Sequence, residues 1–391
     1  MKQPLKKGAG ISAKKFNFNE FKTNLLGGKE QSKVADKELE WIILPEAYQQ
    51  ATNLPGIPQG RGLTFIRGWS DSGKSTIKNL TIASAMRQGI LPIIFETEGN
   101  FDFQYAKDCG MNITPIYEDV EVVNEETGEI TTKKEIVDWE GDYILFTTTK
   151  MCEFCGDMDY ATGTKKSKKR KVAVIEDIAY IMNIFLDKQE DGELPMPILF
   201  VWDSVGSLQS YRSYSSKVSN AMWDAGAIAV AFKPIFNRIA ASKEVGAPYT
   251  NTFVVVNKIW QNYQNSMGGA VSVDNSGGKS IFYASRLGLH CGGVATAGTK
   301  KLKAVLKGKE YQYGTLTKLS VVKNQLPVPF NIVYSGTMCC VHNGIIPENK
   351  LDEYKKNEVP KIFERMKDFF GSETFKDARV EDITFVEEDA E

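Results

Sequence analysis

Eight consecutive residues, Gly68-Trp69-Ser70-Asp71-Ser72-Gly73-Lys74-Ser75, match in full the pattern of a loop that wraps phosphate groups. Glycine at both ends of the turn lets the backbone curl until successive N–H groups point at phosphate oxygens. A helix starting near Lys74 would add the positive end of its dipole. Lys74 would reach the outer phosphates of a nucleoside triphosphate, and the Ser75 hydroxyl would fill one Mg2+ position, with Thr76 next to it in the nucleotide-binding set. Such a metal also needs a carboxylate at the end of a neighbouring strand. The apolar run Ile198-Leu199-Phe200-Val201-Trp202 closes in Asp203, the Walker B arrangement, although an acidic strand cap is the plain alternative. Hydrolysis needs a base for the attacking water. The strand candidate Leu91–Phe95 is followed by Glu96-Thr97-Glu98, and residue pattern alone does not choose between the two glutamates.

These groups act together only if a scaffold brings the strand ends to one edge. The brevity and β-branching of Leu63–Arg67, Leu91–Phe95, Ile198–Trp202 and Phe253–Val256 predict buried parallel strands. Helical patterns lie between them, around Phe103–Cys109 and near 175–187 and 218–243. Strands alternating with helices imply an α/β fold, a doubly wound and mostly parallel sheet whose ligands sit at the carboxyl edge. Leu39–Leu44 is a further short strand candidate that stops at Pro45. Two stretches break the rhythm and read as surface insertions: an acidic hairpin over 118–142 turning at Asn124–Gly128, and residues 151–171 with Cys152-x-x-Cys155 and the basic run Lys165–Lys171.

The 391 residues carry 42% apolar side chains and a net charge of -1, so a sizeable core is available and any nucleic-acid contact must come from local patches. Six irregularly placed cysteines are no disulfide framework, which points to a reducing cytoplasm. No signal peptide or membrane-length apolar run is apparent, so no membrane partner is expected. The organisation read from this pattern is an N-terminal arm over 1–50, basic at its start, a core over 51–340 and a small helical C-terminal region over 341–391 ending in the acidic Glu387, Glu388, Asp389 and Glu391.

The order of these motifs, followed by Phe253-Val254-Val255-Val256-Asn257-Lys258 and by Gly277-Gly278-Lys279-Ser280-Ile281-Phe282-Tyr283-Ala284-Ser285-Arg286-Leu287, resembles the RecA-like recombinase family, both bacterial RecA and the phage UvsX type. The likeness runs from about Leu54 to Val333 and skips both insertions. It implies a RecA-like P-loop ATPase core using ATP and Mg2+. It also implies Glu98 as catalytic base, Asp102 and Tyr105 around the adenine, and Asn257 where the family has a γ-phosphate-sensing Gln. Two DNA-binding loops follow by position. The first spans Gln209–Ser219 with Tyr211, Arg212, Tyr214 and Lys217. The second spans Lys258–Ser276 with Trp260 and Tyr263, closed by Gly277 and Gly278. Rings mixed with cations suit single-stranded DNA; ordinary mobile surface is the plain alternative. The segment Leu319–Phe330 resembles the one that reaches a neighbour's ATP, with Lys323 matching the first family lysine and Gln325 replacing the second, a loss that predicts slower hydrolysis or a compensating cation. Glu40–Leu44 is the candidate for pairing with the next subunit.

The expectation is therefore an ATP-dependent recombinase that polymerises on single-stranded DNA as a helical filament and pairs it with homologous duplex. The departures from cellular RecA suggest a phage-encoded relative. The alternative is a RecA-like ATPase acting as a ring-type motor, loader or regulator without strand exchange, and a scaffolding filament with little hydrolysis is a third reading. Cys152-x-x-Cys155 is half a zinc site, and completing it would need two of Cys109, Cys291, Cys339, Cys340, His290 and His342 from distant segments. The run Lys165–Lys171 is either a solvated charge cluster or a hold on duplex DNA.

Overall fold

A computed structural model describes residues 36–123, 130–262, 272–275, 279–293, 298–306, 308–328, 334–370 and 383–389, with positions 17, 20 and 24. The fold is α/β, built on a large sheet in which the parallel strands run in the order Ile144–Thr147, Leu91–Glu96, Ile198–Asp203, Thr252–Asn262, Leu63–Gly68 and Ser285–Cys291. Antiparallel strands Lys309–Asn324, Ser335–Val341 and Gly344–Ile346 extend it beyond Ser285–Cys291.

Both faces of the parallel strands are apolar because helices cover both. Alternate residues separate cleanly: Ile66, Ile94, Val201 and Val254 join Ile77 and Leu80 of the helix Lys74–Arg87 on one side. Phe65, Phe95, Phe200, Trp202 and Phe253 join Ile178 and Met182 of the helix Ile175–Glu190 on the other. Each such fully buried side chain contributes about 1.5–3 kcal/mol relative to exposure, which makes this two-sided packing the main stabilisation of the sheet.

The short strand Trp41–Ile43 pairs antiparallel with Gly56–Pro58 of the same chain. A Cβ on Gly56 would lie 1.9 Å from the Ile42 carbonyl oxygen, so only glycine allows this approach. Its outer side is also engaged, since Ser84 Oγ of the helix Lys74–Arg87 donates to the Ile43 carbonyl. The pairing seen for this candidate intersubunit strand is thus internal.

The first insertion is an antiparallel hairpin, Ile113–Val123 with Ile130–Gly141, beginning before the expected position; its turn, Asn124–Gly128, falls outside the described residues. Trp139 stacks on Phe103 at 5.6 Å and fastens the hairpin base to the body. The second insertion comprises the helix Thr148–Cys155 and a two-residue bridge, Met158–Asp159 with Thr164–Lys165.

C-terminal residues form the helices Leu351–Asn357 and Val359–Phe370, which pack on a cluster of Leu302, Ala304, Tyr313, Val341, Tyr354 and Phe363. Glu387, Glu388 and Asp389 lie in the strand Thr384–Asp389, which runs antiparallel along Thr299–Leu306 in a backbone register that sets Glu388 against Lys301 and Asp389 against Lys300. Among the described residues no helix is long and apolar enough to cross a membrane. The N-terminal basic arm and Glu391 lie outside the described residues.

Candidate functional site

The chain leaves the buried strand Leu63–Gly68, turns through Trp69–Gly73 and enters the helix Lys74–Arg87. The turn requires both flanking glycines. Gly73 sits at φ +93°, and a Cβ there would be 2.5 Å from Cys340 Sγ; one on Gly68 would be 2.3 Å from the Cys291 carbonyl oxygen. Ser72 Oγ donates to the Trp69 carbonyl at 2.7 Å, and Lys74 Nζ donates to the same oxygen. Burial pulls the Lys74 ammonium below its ordinary range, opposed in part by Asp203 and Glu98. A cavity of about 390 Å³ opens beside the turn, lined by Asp71–Thr76, Tyr105, Gln312–Thr315, Cys340–His342 and Ile362. That is within the range of small-ligand sites, about 300–1,000 Å³. Gly68, Trp69 and Ser70 are not part of the lining, and Trp69 is held by Nε1 donating to the Gly293 carbonyl at 2.9 Å.

Register brings the remaining candidates to one edge. Asp203 pairs with Glu96 on one side and Val256 on the other, Asn257 pairs with Arg67, and Lys258 pairs with Gly68. Asp203 accepts from Lys78 Nζ through Oδ2 at 2.7 Å, while its Oδ1 has no partner among the described residues. Lys78 also lies 3.8 Å from Glu96 Oε2. Ser75 lines the cavity and Asp203 lies at the same sheet edge outside its lining; both offer the hard oxygen donors that Mg2+ takes.

The two glutamates are separated by their surroundings. Glu96 is buried, accepts through Oε1 from the backbone N–H groups of Glu98 and Gly99 at 2.9 and 3.2 Å, and is pushed up by burial against the pull of Lys78. Glu98 faces the edge. Burial acts to raise it, but hydrogen bonds from Ser204 Oγ and Lys258 Nζ outweigh this and hold it below the ordinary carboxylate range. Lys258 Nζ is 2.9 Å from its Oε2. Glu96 is therefore a structural carboxylate and Glu98 the accessible one. Asn257 is buried within its strand, which continues to Asn262, and pairs with Arg67.

Tyr105 lines the cavity, its hydroxyl 2.6 Å from Thr76 Oγ1. Asp102 does not; its carboxylate caps the helix Phe103–Asp108 by accepting from the Tyr105 N–H at 2.8 Å. Lys323 is also away from the cavity, its Nζ donating to the Phe282 carbonyl and lying 4.5 Å from the ring centroid. Next to it, Arg286 donates to Gln325 Oε1 at 3.0 Å.

The first candidate DNA loop is a short helix, Tyr211–Ser216, anchored by Ser210 and Ser213 hydroxyls on Asp224 at 2.7 and 2.8 Å. Arg212 and Lys217 are exposed and Tyr214 half-buried, with Arg212 4.3 Å above the Trp223 ring. Tyr211, expected among the stacking rings, is buried against Tyr160 and cannot serve. In the second loop the strand Thr252–Asn262 turns back as Ser272–Asn275, pairing Trp260 with Asp274 in the backbone register. Tyr263, Gly277 and Gly278 lie outside the described residues. Cys152 and Cys155 are buried thiols, both pushed up by burial, and no group of three or more His, Cys, Asp or Glu among the described residues could hold a metal.

Residue pattern missed Lys78 and the contact of Arg286 with Gln325, and it named His342 only as a candidate zinc ligand, whereas it lines the cavity. Lys78 was findable, being one helical turn after Lys74 and hence on the same face.

No protein-family model matches the chain. Curated sequences named Protein RecA do: that of Ureaplasma parvum serovar 3 is 36% identical over 80 residues, 20% of this chain and 22% of the relative. That of Aquifex aeolicus is 37% identical over 67 residues, 17% and 19% of the two chains. That of Herpetosiphon aurantiacus is 32% identical over 100 residues, 25% and 26%. The relationship is RecA-like. Each match spans about a quarter or less of the relative's length.

Proposed function

We propose that this chain is a Mg2+-dependent, DNA-stimulated ATPase that assembles on single-stranded DNA as a filament and pairs it with homologous duplex. The observation that carries the reading is the convergence at one sheet edge of the Gly68–Ser75 turn, Asp203 and Glu98, with Lys258 bonded to that same Glu98. Backbone N–H groups of 71–75 and Lys74 hold the phosphates; Tyr105 borders the space for the base. Ser75 and Asp203 Oδ1 hold Mg2+, which when bound neutralises charge on the phosphates. Glu98, kept ionised by Ser204 and Lys258, accepts the proton of the attacking water. Lys323 and Arg286 form a separate cationic surface suited to a neighbouring subunit's nucleotide. Lys258, Arg212, Tyr214 and Lys217, with Trp260, Tyr263, Gly277 and Gly278 in the second loop, contact DNA.

The test is ATP turnover with and without single-stranded DNA for wild type and Lys74→Ala. Many-fold stimulation, abolished in the variant by about 10²-fold or more, is the expected result. Turnover indifferent to DNA would leave a RecA-like motor or regulator as the better account.

A further inference from the structure

The basic second insertion is not a loose charge run. Arg170 is buried and grips Asp177 at the start of the helix Ile175–Glu190 with two hydrogen bonds, 2.6 Å to Oδ1 and 3.0 Å to Oδ2, while donating also to the carbonyls of Cys155 and Val172. Its backbone N–H donates to Gly156 at 2.8 Å, closing the loop on itself. Tyr160 donates to Asp177 Oδ1 at 2.8 Å and meets Tyr211 edge-on at 5.6 Å. Lys166 bridges Asp159 at 2.8 Å and the Tyr211 hydroxyl at 2.9 Å. Buried, bidentate pairing of this kind fixes a segment in one place. The insertion is thereby fastened to the same helix, Tyr211–Ser216, that presents Arg212 and Lys217.

What it presents outward is charge. Lys165 and Lys166 have Asp157 and Asp159 as partners, but exposed Lys168, Lys169 and Lys171 have no carboxylate within ion-pair distance among the described residues. Among the described residues Lys169 donates only to the Glu153 carbonyl. Of the insertion's aromatic side chains, Tyr160 is turned inward against Tyr180 and Tyr211, and Phe154, about half exposed, packs edge-on against Phe146 at 5.7 Å. Binding of a single strand draws on rings that stack with exposed bases. A fixed row of ammonium groups on 168–171, a stretch that carries no ring of its own, suits a backbone whose bases are already stacked inside a helix.

We propose that Lys168, Lys169 and Lys171 form a docking surface for the phosphate backbone of duplex DNA, held beside the single-strand site by the Arg170–Asp177 anchor. This rests on the reading of the Tyr211–Ser216 helix as a DNA-contacting element, and it adds the second DNA of the pair. Arg170 and Tyr160 are positioning residues that touch no DNA.

The experiment is a salt titration of fluorescence anisotropy with the full chain, using a labelled duplex and, separately, a labelled single strand. Proteins compared are wild type, the triple variant K168A/K169A/K171A and the charge-preserving K168R/K169R/K171R. The alanine variant is expected to lose about tenfold or more in duplex affinity near 0.1 M salt, with a log–log salt slope shallower by about 2–3. The arginine variant should keep wild-type slope and affinity, and single-strand binding, ATP turnover and melting temperature should be unchanged in both. An unaltered duplex slope, an equal loss on single strands, or failure of arginine to substitute would overturn the proposal. So would retained duplex binding with lost binding to polyglutamate, which would assign the surface to an acidic protein. If the duplex slope shifts as expected while wild-type ATP turnover ignores DNA, the docking surface stands and the reading of a DNA-stimulated ATPase alone falls.

Discussion

Lys258 Nζ lies 2.9 Å from Glu98 Oε2, joining a side chain of the candidate DNA loop to the candidate catalytic base. Lys258 is half exposed, so a phosphate backbone can compete for it, and ion pairs of this exposure are worth only about 0.2–1 kcal/mol. On the proposed function, DNA would take the cation and leave Glu98 to the attacking water. Lys258→Met should raise DNA-independent turnover several-fold and bring the stimulation ratio close to one. Initial rates with and without single-stranded DNA measure this; an unchanged ratio would separate the pair from activation.

A second cation is more deeply placed. Lys78 is buried between Asp203 and Glu96, at 2.7 and 3.8 Å. Truncating one partner of a buried pair typically costs about 3–5 kcal/mol, because the remaining charge is stranded. Lys78→Met should lose stability on that scale in denaturant titrations. Added Mg2+ with a non-hydrolysable ATP analogue should recover more of the loss than it adds to wild type, since it supplies positive charge to Asp203. Equal increments in the two proteins would argue against metal binding at Asp203.

The parallel strands were legible because burial on both faces demands uninterrupted apolar runs, and Leu91–Glu96, Ile198–Asp203 and Leu63–Gly68 lie within a residue of their expected ends. The loop at Gly68–Ser75 was legible because its spacing is fixed by local chemistry. Long-range pairings were not. Nothing in Glu387-Glu388-Asp389 announces a strand until Lys300 and Lys301 are brought alongside, and Tyr211 reads as a surface ring until the second insertion covers it. Separation of Glu96 from Glu98 came from the family resemblance, and the structure supplies its physical basis in the differing hydrogen-bond partners of the two carboxylates.

Arg286 bears on the charge missing at Gln325. Its guanidinium donates to Gln325 Oε1 at 3.0 Å and lies close enough to Lys323 to help lower that ammonium's proton affinity, after burial. Two cations thus already stand on this surface. Arg286→Ala should reduce kcat of the DNA-assembled protein by about tenfold or more with little change in nucleotide affinity, as expected for a group that stabilises charge in the transition state. Gln325→Lys should gain less than this, because the new ammonium would face Arg286. A larger gain from Gln325→Lys than the loss from Arg286→Ala would show that the cation is in fact absent.

The chain has 2 histidines, and His290 is buried beside the Gly68–Ser75 turn with Nε2 3.0 Å from the Gly293 carbonyl oxygen that also accepts from Trp69. Burial lowers its proton affinity, nearby Arg67, Lys74 and Lys318 lower it further, and the Gly293 hydrogen bond opposes them. The sign follows from proton counting. With the folded pKa below the unfolded one, the unfolded chain binds more protons between the two values, so stability rises with pH through that window and is lost on acidification from near 6.5. The slope from one such group is at most about 1.4 kcal/mol per pH unit. His342 is lowered by burial in the same direction. His290→Asn, which keeps a donor for Gly293, should therefore unfold with a shallower dependence on pH between neutral and mildly acid buffer, and adding His342→Asn should flatten it further. Denaturant midpoints at a series of pH values measure the effect, and a wild-type slope in the double variant would place the acid sensitivity in the carboxylates instead.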